Sequence, residues 1–388
     1  MFSERVPANR APNRLARAVT AARASGRRLI DLTVTNPTTV GLSYPPTLLQ
    51  PLASAAALTY TPEPFGHRHA REAAAADYAR RGIRIATDRI VLTASTSEAY
   101  SLLFKLLCGP GGDAVLVPVP SYPLFDHLTH LDGVAPVPYR LEYHGRWAVD
   151  ADALDDAWTR EVRALLAVSP NNPTGSVLSP AELSLVDAMS AERGAAVIVD
   201  EVFVDYPLDG AATNAPNPGA PRALTFRLGG LSKSAGLPQV KLGWIAVDGP
   251  EPLVVEAMDR LELICDTYLS VATPVQIAAP DLIAAGAAIR EQILERVRSN
   301  YRALVALARH FPSIEVLPAE AGWSAVLRVP STHPEEELVL DLIERDGVLV
   351  HPGFFFDFPH EAFLVVSLLA DPDTFVRGTR SLMERVSG

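Results

Sequence analysis

Short runs of β-branched and aliphatic residues alternate along this chain with longer stretches of helical periodicity. This alternation is typical of βα units, in which helices cover the faces of a mostly parallel sheet. It predicts six strands, at 89–93, 114–118, 164–169, 195–201, 223–228 and 242–247. The predicted fold class is therefore α/β, with a large domain built on this sheet.

The pattern changes after about residue 275, where long helices are followed by the apolar strings "SIEVLP", "SAVLRV" and "FLVVSLL". This order predicts a second, smaller α+β domain. The Arg- and Ala-rich N-terminus carries Glu4 and runs directly into "LIDLTV", so we interpret it as an amphipathic helix of the folded protein rather than a transit peptide. We expect this helix to pack on the small domain. The predicted large domain is 40–285, and the small domain is 1–39 with 286–388.

Two local patterns help to place helix starts and loops. The segment 209–221 is rich in Pro, Asn and Ala, which predicts a surface excursion. Three further sites match a capping box, in which a hydroxyl residue is followed three positions later by Glu. These pairs are Ser95 with Glu98, Ser179 with Glu182, and Thr332 with Glu335.

Composition narrows the classes of function. The chain has 388 residues, enough for two domains, and a formal net charge of −11, which argues against a nucleic-acid surface. No apolar run is long enough to span a bilayer, so membrane insertion is not expected. Cys108 and Cys265 are too few for a disulfide framework and lack metal-ligand spacing. We expect both to be buried, with no metal site, in a cytoplasmic protein.

The first chemical motif is "TASTSEAY", in which Ser95, Thr96 and Ser97 stand between a strand and a helix. Backbone amides at a helix start, together with hydroxyls, can bind an anion. An ordinary capped helix is the alternative.

Two loops that follow the next strands carry further candidates. In "VPSYPLF", Tyr122 lies between prolines and could stack on a planar ring, although a half-buried tyrosine more often serves in packing. In "SPNNPTG", Asn171, Asn172 and Pro173 predict a turn before Gly175. That turn is either structural or a means of presenting an amide at the sheet edge.

Two charged motifs follow. The apolar string "AAVIVDE" delivers Asp200 and Glu201 at its end, and a buried acid there needs a partner, so a structural ion pair competes with a functional role. In "GGLSKSAGLPQVKLGW", Lys233 follows a strand and has no helix face to solvate it, although a surface lysine remains the alternative.

Together the five motifs resemble the fold type I pyridoxal-phosphate enzymes, specifically the class I/II aminotransferases. The strings "NNPTG", "DE" and "SK", with "GW" ten residues after the lysine, carry the resemblance, which covers nearly the whole chain in order. It implies a mostly parallel seven-stranded sheet between helices, a smaller α+β domain, pyridoxal 5'-phosphate as cofactor, and a homodimer with shared active sites.

The resemblance also implies roles for individual residues. Lys233 would form the Schiff base with the cofactor and then serve as the base, and Asp200 would pair with the pyridinium nitrogen, keeping the ring an electron sink. The remaining cofactor-binding roles fall to Asn172 at the phenolic oxygen, Tyr122 on the ring, Ser95, Thr96, Ser97 and Lys241 at the phosphate, and Tyr60 at the phosphate of the neighbouring subunit.

Four positions depart from the family pattern. Phe203 replaces a tyrosine that donates to the ring oxygen, Gly230 replaces a phosphate-binding serine, and Lys241 replaces an arginine and loses its bidentate fork. Val365 stands where an arginine would clamp the substrate carboxylate, a loss of the order of a few kcal/mol in binding. Tyr268 lies near the place of a second arginine in dicarboxylate-specific relatives.

These departures leave three hypotheses open. The first is an aminotransferase of small or apolar donors, alanine-like rather than aspartate-like, which exchanges amino groups with a 2-oxo acid through pyridoxamine phosphate. The second is a lyase, decarboxylase, oxidase or cyclase with the same cofactor, which Val365 favours. The third, a non-catalytic sensor module, is disfavoured because Lys233 is retained. Arg328 and Arg68 are candidates to replace the missing arginine.

Overall fold

A computed structural model describes residues 3–208 and 219–388 of the chain. The strands in chain order are β1 (Ile30–Asp31), β2 (Ile90–Thr93), β3 (Ala114–Val119), β4 (Ala135–Tyr143), β5 (Trp147–Val149), β6 (Val162–Val168), β7 (Ala196–Asp200), β8 (Thr225–Gly230), β9 (Gly243–Asp248), β10 (Glu315–Val316), β11 (Ser324–Arg328), β12 (Val348–Leu349), β13 (His351–Pro352) and β14 (Phe363–Ser367).

The helices in chain order are α1 (Arg14–Ala24), α2 (Arg68–Arg80), α3 (Thr96–Leu107), α4 (Leu124–Asp132), α5 (Ala151–Ala157), α6 (Pro180–Glu192), α7 (Leu231–Ser234), α8 (Glu251–Tyr268), α9 (Thr273–Ala308), α10 (Glu335–Asp341) and α11 (Pro372–Ser387). Helices therefore alternate with strands through the first half of the chain, which confirms the predicted α/β class.

The central sheet has the strand order β2-β9-β8-β7-β6-β3-β4-β5. Its middle pairs, from β8 through β4, are parallel, while β9 runs antiparallel to both β2 and β8. All six strands predicted from sequence are present within two residues of their expected ends. Seven of the eight strands form the mostly parallel seven-stranded sheet that was expected. The short strand β5 is the eighth, which extends the sheet by pairing antiparallel with β4.

The side chains of the central strands alternate between two apolar layers. On β7, Ile198 packs in the cluster that contains Leu103 of α3, whereas Val197 packs in the cluster that contains Val186 of α6. This alternation follows from the two-residue period of a strand and leaves both faces of the sheet covered. Apolar packing therefore occupies the two faces of the sheet.

A second, antiparallel sheet has the order β10-β11-β14-β13, and β1 pairs in parallel with β12 beside it. Helix α1 packs here, as expected, because Arg14 donates to Glu336 at 2.8 Å and to Glu337 at 2.7 Å. The proposed domain boundary at residue 286 falls inside the continuous helix α9. The division into 40–285 and 1–39 with 286–388 stays a prediction.

The three predicted capping boxes differ in outcome. Ser179 and Glu182 form the full reciprocal box. Ser95 accepts the amide of Glu98, but the Glu98 carboxylate accepts from Ala94 instead of Ser95.

The prediction for Thr332 is wrong, because α10 begins after Pro334 and has no side-chain cap. The Glu335 carboxylate is instead buried and accepts the amides of Phe354 and Phe363.

The remaining sequence predictions concern exposed and apolar segments. Cys265 is buried and Cys108 is half-buried, and both thiols are free.

Of the expected surface excursion at 209–221, residues 209–218 lie outside the described residues. No single helix among the described residues is long and apolar enough to cross a membrane, and only the sharply bent pair α8 and α9 meets the length and composition criteria together.

Candidate active site

Five loops with chemically active side chains meet at one edge of the central sheet. They follow β2, β3, β6, β7 and β8, which all run in the same direction because β9 is antiparallel to both β2 and β8. Open α/β sheets bind ligands at this edge. The loops carry Ser95, Tyr122, Asn172, Asp200 and Lys233.

Asp200 ends β7 as a buried carboxylate with only 7% of its surface exposed. Its Oδ2 accepts the hydroxyl of Tyr100 at 2.7 Å, and its Oδ1 accepts the Val202 amide at 3.1 Å. Burial raises the pKa of Asp200, and the Tyr100 hydrogen bond opposes that rise more than the charge of Lys233 does. Among the described residues, no cation lies within ion-pair distance of this carboxylate.

The neighbouring acid, Glu201, has the structural role that the sequence left open for both residues. Its carboxylate pairs with Arg227 at 2.6 Å and with Arg81 at 3.1 Å. Burial alone would raise the pKa of Glu201, but the two guanidinium charges outweigh burial and hold it below its usual value. Asp200, which has no such pair, is therefore the acid available for chemistry.

Lys233 lies in the short helix α7 directly after β8. Its Nζ is 4.9 Å from the centre of the Trp323 ring and 5.6 Å from that of Phe203. Burial lowers the pKa of Lys233 from 10.5 to about 8, partly opposed by the charge of Asp200. Near neutral pH the amine is still mostly protonated, but a much larger share of it is uncharged than for an ordinary lysine, and the uncharged form is the nucleophile or base.

Asn172 and Tyr122 border the same edge. Asn172 Oδ1 accepts the hydroxyl of Ser324 at 3.3 Å, which leaves its amide nitrogen without a hydrogen-bond partner in the described part of the chain. The ring of Tyr122 packs edge-on against Phe125, and its pKa is raised by burial and by the nearby charge of Asp200. Both side chains are therefore placed to contact a ligand beside Asp200.

The first turn of α3 supplies the anion site predicted from sequence. Ser95 is the N-cap, and the hydroxyls of Thr96 and Ser97 make no hydrogen bond to any described residue. Strand β9 passes close by, since an added Cβ at Gly243 would lie 3.1 Å from the Ser95 carbonyl carbon. Free amides and hydroxyls at a helix start favour a phosphate.

Gly230 replaces the expected serine for a steric reason. A Cβ at this position would lie 3.0 Å from both the Gly243 Cα and the Leu242 carbonyl oxygen. Lys241, two residues before Gly243, is exposed and has a φ of 60°. It lies beside the start of β9 without a hydrogen bond to any residue that the structure describes.

Tyr60 is not brought to this edge within one chain. It is 68% exposed and lines a separate hollow with Tyr268. Neither residue contacts Lys233 or Asp200 in the described part of the chain.

Val365 lies at the centre of β14, directly opposite Val326 on one side and His351 on the other. It is only 2% exposed, so this position supplies apolar packing and no charge. Of the two candidate replacements for the arginine, Arg328 pairs with Glu315 and Arg68 pairs with Glu72. Both guanidiniums are mostly exposed and already have partners.

Sequence reasoning missed three residues of the site. Tyr100 binds Asp200, Trp323 packs beside Lys233, and Ser324 binds Asn172. Tyr100 could have been found, because it lies one helical turn after Ser97 and so shares its face of α3. Ser324 begins β11 of the second sheet and Trp323 directly precedes it, and nothing in their local sequence pointed to this edge.

Comparisons with known proteins identify the family. A model of the family described as aminotransferase class I and II matches residues 30–374. The alanine aminotransferase of Mycobacterium tuberculosis is 28% identical over 347 residues, which cover 87% of this chain and 80% of that protein. The glutamate-pyruvate aminotransferase of Haemophilus influenzae is 27% identical over 356 residues, covering 88% and 87% respectively.

Solved structures show the same fold. An aminotransferase from Escherichia coli superimposes with a TM-score of 0.88 at 22% identity, over 100% of this chain and 98% of that one. The alanine aminotransferase from Pyrococcus furiosus gives a TM-score of 0.87 at 23% identity, over 99% of each chain.

The fold, the site and the family match together define the class, and the chain belongs to the class I and II aminotransferases. It is an enzyme of that family that depends on pyridoxal phosphate and transfers amino groups between amino acids and 2-oxo acids.

The residues at the sheet edge suit this cofactor. The Lys233 amine, with its lowered pKa, suits its aldehyde, the Asp200 carboxylate suits its ring nitrogen, and the Asn172 amide nitrogen, which has no partner among the described residues, suits its ring oxygen. The free hydroxyls at the start of α3 suit its phosphate. The donor set therefore matches pyridoxal phosphate in both charge and hydrogen-bonding capacity.

Proposed function

We propose that this aminotransferase takes a small amino donor such as alanine and passes its amino group to a 2-oxo acid. One observation carries the catalytic part of this proposal. The Lys233 amine, with its pKa lowered to about 8, lies within electrostatic reach of the buried Asp200 carboxylate at the ligand-binding edge. A buried amine with a lowered pKa, beside a buried acid that has no ion pair among the described residues, is the arrangement expected of a catalytic pair.

Lys233 and Asp200 have separate proposed roles. Lys233 would hold the cofactor covalently, and its amine, when free, would move a proton at the substrate α-carbon. Asp200 would keep the ring nitrogen protonated. The bound cofactor itself supplies an electron sink.

The remaining residues hold the cofactor in place. Asn172 would donate to the ring oxygen and Tyr122 would pack on the ring face. Ser95, Thr96 and Ser97 would bind the phosphate with the amides of α3, and Lys241 would add a positive charge. Phe203 would donate nothing to the ring oxygen, because its phenyl ring has no hydroxyl.

The choice of donor is supported by the named relatives, which include an alanine aminotransferase and a glutamate-pyruvate aminotransferase. They do not favour the lyase, decarboxylase, oxidase or cyclase alternative. Tyr268, at the position near which dicarboxylate-specific relatives carry an arginine, adds no cation for a second carboxylate.

A turnover assay tests this proposal. Purified protein loaded with pyridoxal phosphate is given alanine and 2-oxoglutarate, and pyruvate and glutamate are measured; aspartate replaces alanine in a parallel reaction. We expect faster turnover with alanine than with aspartate, and none in Lys233→Ala. Equal or faster turnover with aspartate would contradict the choice of donor, and ammonia release without glutamate would favour the lyase alternative.

We also propose a homodimer in which Tyr60 reaches the cofactor phosphate of the partner subunit. Support comes from exposed apolar side chains around the hollow that Tyr60 lines. They are Tyr268 at 55% and Leu269 at 38% exposure, beside Tyr60 itself at 68%. Exposed apolar clusters of this kind mark interaction surfaces. Analytical ultracentrifugation at micromolar concentration measures the oligomeric state. A monomer that turns over substrate normally would contradict the proposed homodimer.

We propose a cytoplasmic location. The free thiols of Cys108 and Cys265 and the net charge of −11 support it. Fractionation of cells that produce the protein tests it, and recovery in an exported fraction would contradict it.

A further inference from the structure

The hydroxyl of Tyr100 is the only side-chain donor to the Asp200 carboxylate among the described residues. The bond from Tyr100 Oη to Asp200 Oδ2 is 2.7 Å long, and both side chains are almost fully buried. A hydrogen bond to a carboxylate in such surroundings stabilises the ionised form. Tyr100 therefore acts directly on Asp200, which has no ion pair among the described residues.

The Tyr100 ring is held firmly in place. It packs edge-on against Phe125, with ring centres 5.4 Å apart, and against Phe104 at 6.1 Å. Phe125 in turn packs edge-on against Tyr122 at 6.2 Å. The hydroxyl is thus fixed by an aromatic row that ends at the residue proposed to lie on the cofactor ring.

Tyr100 also connects two parts of the site. It lies on α3 one turn after Ser97, so the helix whose first turn is proposed to bind the phosphate also carries the donor to Asp200. Because a helix moves as a rigid unit, the two contacts keep a fixed separation. The phosphate site and the acid are therefore positioned by the same element.

We propose that Tyr100 is a positioning residue that holds the Asp200 carboxylate ionised and in a fixed orientation for the cofactor's ring nitrogen. The inference rests on the proposed role of Asp200.

Four titratable groups act on Asp200, and their effects differ. Burial and Glu201 favour its neutral form, whereas Tyr100 and Lys233 favour its charged form, and Tyr122 is a neutral phenol nearby. Loss of the Tyr100 hydroxyl leaves Lys233 as the only side chain of these that favours ionisation.

The first test uses the cofactor-free protein. Aspartate carboxyl groups are labelled with ¹³C, and the Asp200 signal is assigned as the one missing from Asp200→Asn. In Tyr100→Phe, which removes only the hydroxyl, we expect this signal to titrate about one to two pH units higher than in the wild type. An unchanged titration would overturn the proposal.

The matched control is Tyr139→Phe. Tyr139 is equally buried, and its hydroxyl donates to the Leu166 carbonyl oxygen at 2.9 Å, away from Asp200. This variant also loses one buried hydrogen bond, yet the Asp200 titration should not move. A shift of equal size in Tyr139→Phe would show that a general loss of stability explains the effect, and would overturn the proposal.

The second test uses the loaded enzyme and a ¹⁵N-labelled cofactor ring. A more basic Asp200 attracts the shared proton, so in Tyr100→Phe the ring nitrogen signal should move toward the unprotonated position. We expect kcat to fall about tenfold or more with little change in KM. A wild-type nitrogen signal in this variant would contradict the proposal.

A comparison of Asp200→Asn with Tyr100→Phe separates the possible failures. If Asp200→Asn keeps both the wild-type nitrogen signal and wild-type kcat, the proposed role of Asp200 fails and this inference fails with it. If only Tyr100→Phe behaves as wild type, the inference fails alone.

Should Tyr100→Phe not fold, site-specific 3-fluorotyrosine at position 100 keeps the shape and strengthens the donor. It should lower the pH at which Asp200 titrates, and no shift would overturn the proposal.

Discussion

The amine of Lys233 lies 4.9 Å from the centre of the Trp323 ring, so a residue that directly precedes β11 of the antiparallel sheet helps to enclose the reactive group beside the central sheet. Phe203 lies on another side at 5.6 Å. These rings displace water from the amine, and desolvation disfavours its charged form. The approach of the two sheets therefore contributes to the reactivity of Lys233.

The lowered pKa of Lys233 predicts how cofactor uptake depends on pH. The neutral amine is the reactive form, so the rate of covalent attachment should rise with pH and level off above about 8, well below the ordinary value of 10.5. Stopped-flow absorbance after mixing cofactor-free protein with pyridoxal phosphate measures this rate. Lys241→Ala is the control and should keep the same midpoint. A rate that still climbs at pH 10 would show that Lys233 is solvated like a surface lysine.

Asp200→Ala should leave the cofactor attached to Lys233 but slow removal of the substrate α-proton by about 10²-fold or more. The reason is that the ring nitrogen loses the carboxylate that keeps it protonated. The exchange rate of the alanine α-proton with solvent deuterium, followed by NMR, reports this step directly. Near-normal exchange would make Asp200 a structural residue.

Glu201→Gln should affect stability instead of chemistry. It leaves Arg81 and Arg227 buried without their anion, which costs about 3 to 5 kcal/mol of unfolding free energy. Because the pKa of Glu201 is lowered in the folded state, its stabilisation is present above its unfolded pKa and is lost as pH falls through its folded pKa.

Urea unfolding at neutral and acid pH checks both points. The variant should be less stable at neutral pH, and the difference should shrink as pH falls. Equal stability of the two proteins at neutral pH would contradict the structural role of Glu201.

Gly230→Ser should not improve cofactor binding, although a serine is usual at this place in the family. The new Cβ would lie 3.0 Å from the Gly243 Cα and the Leu242 carbonyl oxygen, forcing β8 and β9 apart. We expect a loss of about 1 to 3 kcal/mol in stability and weaker cofactor binding. Thermal unfolding and fluorescence titration with cofactor measure the two effects. Tighter binding in this variant would show that the strands yield easily.

Much of the site could be predicted because parallel strands end at the same edge. Once the runs before Ser95, Tyr122, Asn172 and Asp200 are recognised as strands, their following residues must lie together. The predicted strands were strongly apolar, and this made their positions clear. The distance of Lys233 from Asp200 along the sequence was no obstacle, since β7 and β8 are neighbours.

Other features depend on contacts that local sequence does not encode. Strand β4 contains Pro136 and Pro138, which argue against a strand in a sequence reading, yet it pairs with both β3 and β5. Thr332 matched a helix cap with Glu335, but the Glu335 carboxylate accepts backbone amides from residues distant in sequence. Trp323 reaches Lys233 only because two sheets pack together. Each of these outcomes is decided by tertiary packing.

The most direct measurement of the central claim is an absorption spectrum of the purified protein with its bound cofactor, repeated after each of a panel of amino acids and amines is added. We predict that the cofactor band is converted by alanine, returns when pyruvate or 2-oxoglutarate is added, and is not trapped on the protein by borohydride in Lys233→Ala. A band that no amino acid converts, or an unchanged trapped adduct in Lys233→Ala, would contradict the account.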